Sequence, residues 1–410
     1  MGFGQGLSGL NTASQDLDVI GNNISNAKTV GFKAASTAFA DIYASSRVGL
    51  GVQMAGVTQR FTTGVLSVSG NELDIAIDGT RGLFVITSPT DGTTFYTRNG
   101  QFTRDKENRI VNAQGNQLMG FNVDNSVTPP RPIMGGGLVG LTVPVGNIEP
   151  KFTETVKNKL NLDADADIIS SPVPAPDLTD PTTFSTSTPV TVYDSLGKAH
   201  RVDQVYQRTG TNAWTVTYQY TDPATGTTSN VGSANLTFDT AGRLVTTPAA
   251  PTGTIALPAA GGAAALNVTV SYDDSTQFSG GYTTNFVQDG YASGEFASLS
   301  IGTDGAVVAN YTNGAKKTTG FVAMADFNNL QGLQSVGGNA WVETASSGQA
   351  IMGTPGSNGL ASVKGQAVEE SNVDMSQELV NLIIAQRTYQ ANAQTIKTQD
   401  QVLQTLMAMR

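Results

Sequence analysis

Apolar positions at the two ends of the chain recur with a helical period, and those between the ends do not. Near the N-terminus Phe3, Leu7, Leu10, Ser14, Leu17, Gly21 and Ile24 keep steps of four and three, and Ile20 widens the stripe. Asn22, Asn23, Asn26 and Gly31 then interrupt it, and Asn and Gly are residues at which helices end. Near the C-terminus Met375, Leu379, Leu382, Gln386, Tyr389, Ala393, Ile396, Asp400, Leu403 and Met407 form a heptad seam with polar breaks at Gln386 and Asp400. No Gly or Pro stands between residues 369 and 410, so a helix over most of this span would be roughly 50–60 Å long. Glu369 and Glu370 read as acids at its start, where the helix dipole favours them.

The chain between these helices carries strand and turn signals. In "TFYTRNGQFTRD", residues 94–105, Asn99-Gly100 stands between two alternating runs and predicts a hairpin turn. Gln114-Gly115, Asp304-Gly305 and Asn313-Gly314 repeat the signal at similar intervals, so the two groups read as halves of one β domain. Between them stand "PVTVYDS", "HRVDQVYQR", "AWTVTYQY", "ANLTFDTAGRLV" and "LNVTVSYDD", five strand candidates of a second β domain, with a Pro/Ser-rich linker at residues 170–184. Residues 248–265, rich in Ala, Gly and Pro, read as an irregular loop. Residues 27–70 show few periodic signals. The expected fold is mainly β with terminal α-helices forming a coiled-coil-like pair. Its domains are nested: 1–27 with 369–410 as the helical ends, 28–69 as a connecting segment, 70–147 with 288–368 as a discontinuous β domain, and 148–287 as an inserted β domain.

Composition narrows the chemistry. The chain has 410 residues, no cysteine and one histidine, so disulfides, thiolate catalysis and Cys-based metal sites are excluded. Its mean hydropathy of −0.12 and the absence of a run of about 20 apolar residues argue against membrane insertion. The first cation is Lys28, after Asp16 and Asp18, so no cleavable signal peptide is expected. The net charge of −10 comes without any Lys/Arg-rich run, which argues against nucleic-acid binding. Arg98, Arg104, Lys106 and Arg109 read as solvated hairpin faces. His200 reads as a strand-surface histidine without triad or zinc partners. Asp163, Asp165 and Asp167 resemble the opening of a calcium loop, but Ile168 and Pro174 stand where that loop needs Gly and Glu. The Gly-rich "VGLGVQM" lacks the third Gly and the βαβ context of a dinucleotide site. No catalytic, cofactor or metal residue is expected, and charged residues are only 14%, against the ~25% usual in soluble domains. Such a surface suits a chain whose flanks meet copies of itself.

The terminal helices are then the candidate interface. Gly4, Gly6, Gly9 and Gly21 each weaken the first helix by about 1 kcal/mol relative to Ala, so an isolated helix pair is marginal and contacts with other copies would complete it. The expected contact residues are Leu7, Leu10, Leu17 and Ile24 on the first helix, and Met375, Leu379, Leu382, Tyr389, Ile396 and Leu403 on the last.

"SGLNTASQDLDVIGNNISNAKTVGFKAASTAFADIY" resembles the N-terminal signature of the bacterial flagellar rod and hook family, and "ESNVDMSQELVNLIIAQRTYQANAQTIKTQDQVLQTLMAMR" its C-terminal signature. "ELDIAIDGTRGLFVI" followed by "YTRNGQFTRD" is similar to the family's first β segment, although Thr80-Arg81 stands where many relatives have a plain Gly-Phe-Phe turn. The chain length, the inserted domain and "TVYDSLGKAH" resemble the hook members more than the shorter distal-rod members. The resemblance implies a non-enzymatic subunit without cofactors, exported through the flagellar type III apparatus and lying outside the cell in the hook. It implies a homopolymer forming a curved hollow tube that acts as a universal joint between rod and filament. Distal rod protein, hook cap protein and hook–filament junction protein are the implied partners, with no nucleic acid. The alternatives are a distal-rod or other rod-like axial protein, or an adhesin displayed on a flagellar scaffold.

Overall fold

The computed structural model describes residues 2–42, 51–169, 175–223, 225–247 and 249–408. Part of the Pro/Ser-rich linker, Pro174 and the start of the "VGLGVQM" stretch lie outside these residues. Two compact units divide the chain. The first is Met1–Val145 with Ala297–Asn310 and Lys316–Arg410, and the second is Gly146–Phe296 with Tyr311–Ala315.

In the first unit, helix α1 (Gly2–Ser25) leads into an antiparallel hairpin of β1 (Ala35–Asp41) and β2 (Val52–Gln59). The segment that showed few periodic signals thus holds a hairpin. Its residues alternate in exposure, but Ala, Ser, Thr and Gly give that alternation little hydrophobic contrast. Next come β3 (Leu66–Val68), β4 (Ile75–Asp78), β5 (Leu83–Thr87), β6 (Thr94–Thr97), β7 (Thr103–Arg104), β8 (Ile110–Val111) and β9 (Gln117–Phe121). Strands from the C-terminal half interleave with them. Lys316–Val322 pairs with β9, Met324–Asp326 with β5, and Ala340–Val342 with β6. Leu83, Val85, Tyr96, Phe121, Phe321 and Trp341 form their shared core. Two short pairings, β4 with Ser362–Gly365 and β3 with Ala367–Glu369, then bring the chain to α2 (Met375–Ala408).

The turn signals divide. Gly115, Gly305 and Gly314 take φ values of 82°, 78° and 80° in turns, a region that favours glycine. Asn99-Gly100 closes no hairpin, because β6 pairs with β5 while β7 pairs with β8. Gly100 instead lies against β4, its carbonyl accepting the Ile75 amide at 2.9 Å. A Cβ there would fall 1.6 Å from the Ile75 carbonyl oxygen, so glycine is required for close approach.

The second unit packs two sheets face to face. One is antiparallel: Thr186–Tyr193, Ala199–Gly210, Ala213–Thr221 and Thr228–Thr237. The other is mixed and centred on Thr155–Asp163. Inward residues alternate with outward ones, and Val190, Val202, Tyr206, Trp214, Tyr218 and Val268 meet in one core. Residues 248–265 contain a strand, Thr252–Leu257, burying Gly253, Ile255 and Leu257; its Ala/Gly/Pro flanks masked the period. His200 is no surface histidine. Its Nε2 lies 2.9 Å from Asp194 Oδ2 and its Nδ1 3.2 Å from the Tyr220 hydroxyl.

Candidate assembly interface

The two terminal helices pack antiparallel. Gly6 faces Ile396 and Gly9 faces Asn392. Gly6, Thr12, Ala13, Ile20 and Asn23 are buried on α1, and Glu378 and Ala385 on α2. Small residues set this approach, since a Cβ on Gly9 would fall 2.8 Å from Asn392 Oδ1. The contact face is displaced by about one residue from the apolar seams, a turn of roughly 100° around each helix.

Half of the ten expected interface residues are exposed, off the intramolecular face. Leu7 is 44% exposed, Leu379 45% and Leu403 52%, and Met375 and Tyr389 are exposed too. Leu10, Leu17, Ile24, Leu382 and Ile396 are half-buried, with Ile396 against Gly6. Within one chain the helices pair through small and polar residues, leaving a line of large apolar side chains uncovered.

The β1–β2 hairpin leans on α1. The Asn23 side chain both donates to and accepts from the backbone of Ala35, at 2.7 and 2.9 Å. The Thr37 hydroxyl donates to Asp16, and the Val52 amide to Ser8 Oγ.

Where the helices join the β structure, three charges are buried together. Glu369, Lys33 and Arg98 are at most 1% exposed. Lys33 Nζ donates to Glu369 Oε1 and to the Thr62 carbonyl, and the Gly64 amide donates to the same carboxylate oxygen at 2.8 Å. Arg98 donates to Glu369 Oε2 at 3.1 Å and to the carbonyls of Gly79 and Thr80. Burial pushes the Lys33 pKa below its ordinary value while Glu369 pulls it back up, and burial likewise lowers Arg98 against the pull of Glu369. Gly31, at φ 72°, donates its amide to the Glu369 carbonyl at 2.8 Å. Asn372 accepts the Ala34 amide and donates to the Arg60 carbonyl, both at 2.7 Å. Asp374 caps α2 through the amides of Ser376 and Gln377. Glu369 is thus a strand residue rather than a helix-start acid, and Arg98 is a buried cation rather than a solvated one.

Four family descriptions match along the chain. They are the Flagella basal body rod protein at residues 5–33, the Flagellar hook protein FlgE/F/G D1 domain at 76–167, the Flagellar basal body protein FlaE D2 domain at 161–291, and the Flagellar basal body rod FlgEFG protein C-terminal at 364–409. The Flagellar hook protein FlgE of Salmonella typhimurium is 42% identical over 416 residues, covering 100% of both chains. The chain belongs to the flagellar hook protein FlgE family. Its similarity to the FlgE of Escherichia coli is 41%, covering 100% of both chains, and to that of Treponema pallidum 31%, covering 99% of this chain and 98% of the other. The crystal structure of Helicobacter pylori flagellar hook protein FlgE2 matches in fold, with a TM-score of 0.54 and 15% identity over 74% of this chain and 100% of that one.

As a FlgE family member the chain is a structural subunit of the flagellar hook. No helix among the described residues is long and apolar enough to cross a membrane. Among them, too, no group of three or more His, Cys, Asp or Glu residues could hold a metal. The buried Lys33–Glu369–Arg98 cluster was not found by sequence reasoning. Lys33, set between Phe32 and Ala34 in a chain poor in charge, was the available signal, while Arg98 between Thr97 and Asn99 gave none.

Proposed function

We propose that the chain polymerises in many copies into the hollow, curved hook and acts there as a universal joint passing torque from rod to filament. The observation that carries this reading is the line of uncovered apolar residues along α1 and α2. Leu7, Leu10, Leu17, Ile24, Met375, Leu379, Leu382, Tyr389, Ile396 and Leu403 pack between copies. Residues 1–27 and 369–410 make the helical core of the polymer. The chain leaves the cell unfolded through the flagellar type III export apparatus, without signal cleavage. It meets the distal rod protein at the base, the hook cap protein during growth and the hook–filament junction protein at the far end. Its role is mechanical, with no catalytic step.

Electron microscopy of purified chain and of cells lacking it tests the proposal. Curved tubes from the protein, and rods without hooks on non-swimming cells, are the expected results. Hooks of normal form on the deletion cells would refute it.

A further inference from the structure

We propose that the free end of α2 is a knob that docks into a groove at the helix roots of another copy of this chain, in a contact that repeats without closing. The proposal rests on the polymer reading above and specifies which surfaces meet.

The groove lies between α1, the β1–β2 hairpin and the first half of α2, and has a volume of about 730 Å³. Ala13, Ile20 and Ala385 line its buried part, and Phe39 and Ile384, 49% and 57% exposed, its open edge. Four of its polar side chains already have partners within the chain. Asp16 accepts from Thr37, Asn23 is bonded to Ala35, the Thr12 hydroxyl donates to Ser8 O, and Glu378 pairs with Arg60. An apolar occupant would leave none of these four without a partner.

The knob follows from the lengths of the helices. With Gly6 level with Ile396, the start of α1 at Gly2 falls level with about residue 400. Residues 401–408 of α2 run on for about 12 Å past the end of α1. This overhang has no charged residue. It shows Val402, Leu403 and Met407, the last 73% exposed. Leu403 and Met407 are four apart and share a face.

The overhang cannot reach its own groove. Residues 385 and 403 belong to the same continuous helix, about 27 Å apart along its axis. The occupant must come from another copy. Knob and groove are different surfaces at different ends of one helix, so the contact is head-to-tail, and in the polymer proposed above it repeats as an open helical array rather than closing into a ring.

Cysteine pairing tests this directly, since the chain has no cysteine of its own. Polymers of a chain carrying Met407→Cys and Ile384→Cys are oxidised and run on non-reducing gels. A covalent ladder extending beyond dimers is expected, and each single variant should run as monomer. Leu403→Asp should raise the critical concentration for assembly at least tenfold while the monomer melts as wild type, and Leu403→Met should assemble normally. Tubes of the double variant without a ladder, or dimers from Met407→Cys alone, overturn the proposal and leave the polymer reading intact. Failure of the unsubstituted chain to form any polymer removes both.

Discussion

Glu369 has no access to water, and its two carboxylate oxygens are taken by Lys33, Arg98 and the Gly64 amide. The site holds two cations against one anion. Replacing Glu369 with Gln keeps the shape but leaves Lys33 and Arg98 buried without the carboxylate that pairs with both. Breaking a buried pair in this way costs about 3–5 kcal/mol. Lys33→Met should cost less than Glu369→Gln, because the Arg98–Glu369 pair survives it. Denaturant unfolding of the two variants measures the order, and a Glu369→Gln loss smaller than that of Lys33→Met would show that the charge balance is misread. None of this was legible locally. Glu369 has its cationic partners 336 and 271 residues away in the chain, and no periodicity links positions so distant. His200 shows the same limit on a smaller scale, since its pairing with Asp194 needs the turn between them to be folded first.

At the scale of elements, the seams placed both helices but not the face by which they meet. A heptad pattern marks large apolar residues, whereas this contact is set by Gly6, Gly9 and Ala13, which carry little hydrophobic signal. The two faces of α2 can be separated by substitution. Leu379 is exposed and Ala385 is 5% exposed. Leu379→Asp should leave monomer stability within about 0.5 kcal/mol, as surface changes usually do, yet abolish tube assembly. Ala385→Asp should melt the helix pair in the monomer itself, because it buries a charge without a partner. Leu382 is half-buried and would mix the two effects. Circular dichroism on monomers and microscopy of tubes supply the readouts. Normal tubes from Leu379→Asp would mean that the outward seam is not a contact between copies. The β elements were legible where alternation was strong, as in Ala213–Thr221, and illegible where a glycine served close packing rather than a turn, as at Gly100.

For the whole molecule, the division into two units with separate cores predicts two cooperative unfolding transitions. The chain has two tryptophans, Trp214 in the core of the second unit and Trp341 in that of the first, so each unit has its own fluorescent reporter. Trp341→Phe leaves only Trp214, and Trp214→Phe only Trp341. Acid should act on the second unit through Asp194 and Asp289. Burial would raise the pKa of Asp194, but the His200 side chain and the amides of Lys198 and Leu196 outweigh it and hold the carboxyl below its ordinary value. Burial of Asp289 is likewise outweighed, by the Thr155 and Glu154 amides and by Lys151. A carboxyl whose folded-state pKa is depressed stabilises the fold above its unfolded value of about 4, and that contribution is lost as the pH falls through the folded-state value. The Trp214 transition should therefore drop on going from neutral to acid pH, and Asp194→Asn should shrink that drop. The same substitution should leave the acid response of the Trp341 transition where it was, since Asp194 belongs to the other unit. A single transition seen by both reporters, or an Asp194→Asn effect on the Trp341 signal, would show that the units do not unfold independently.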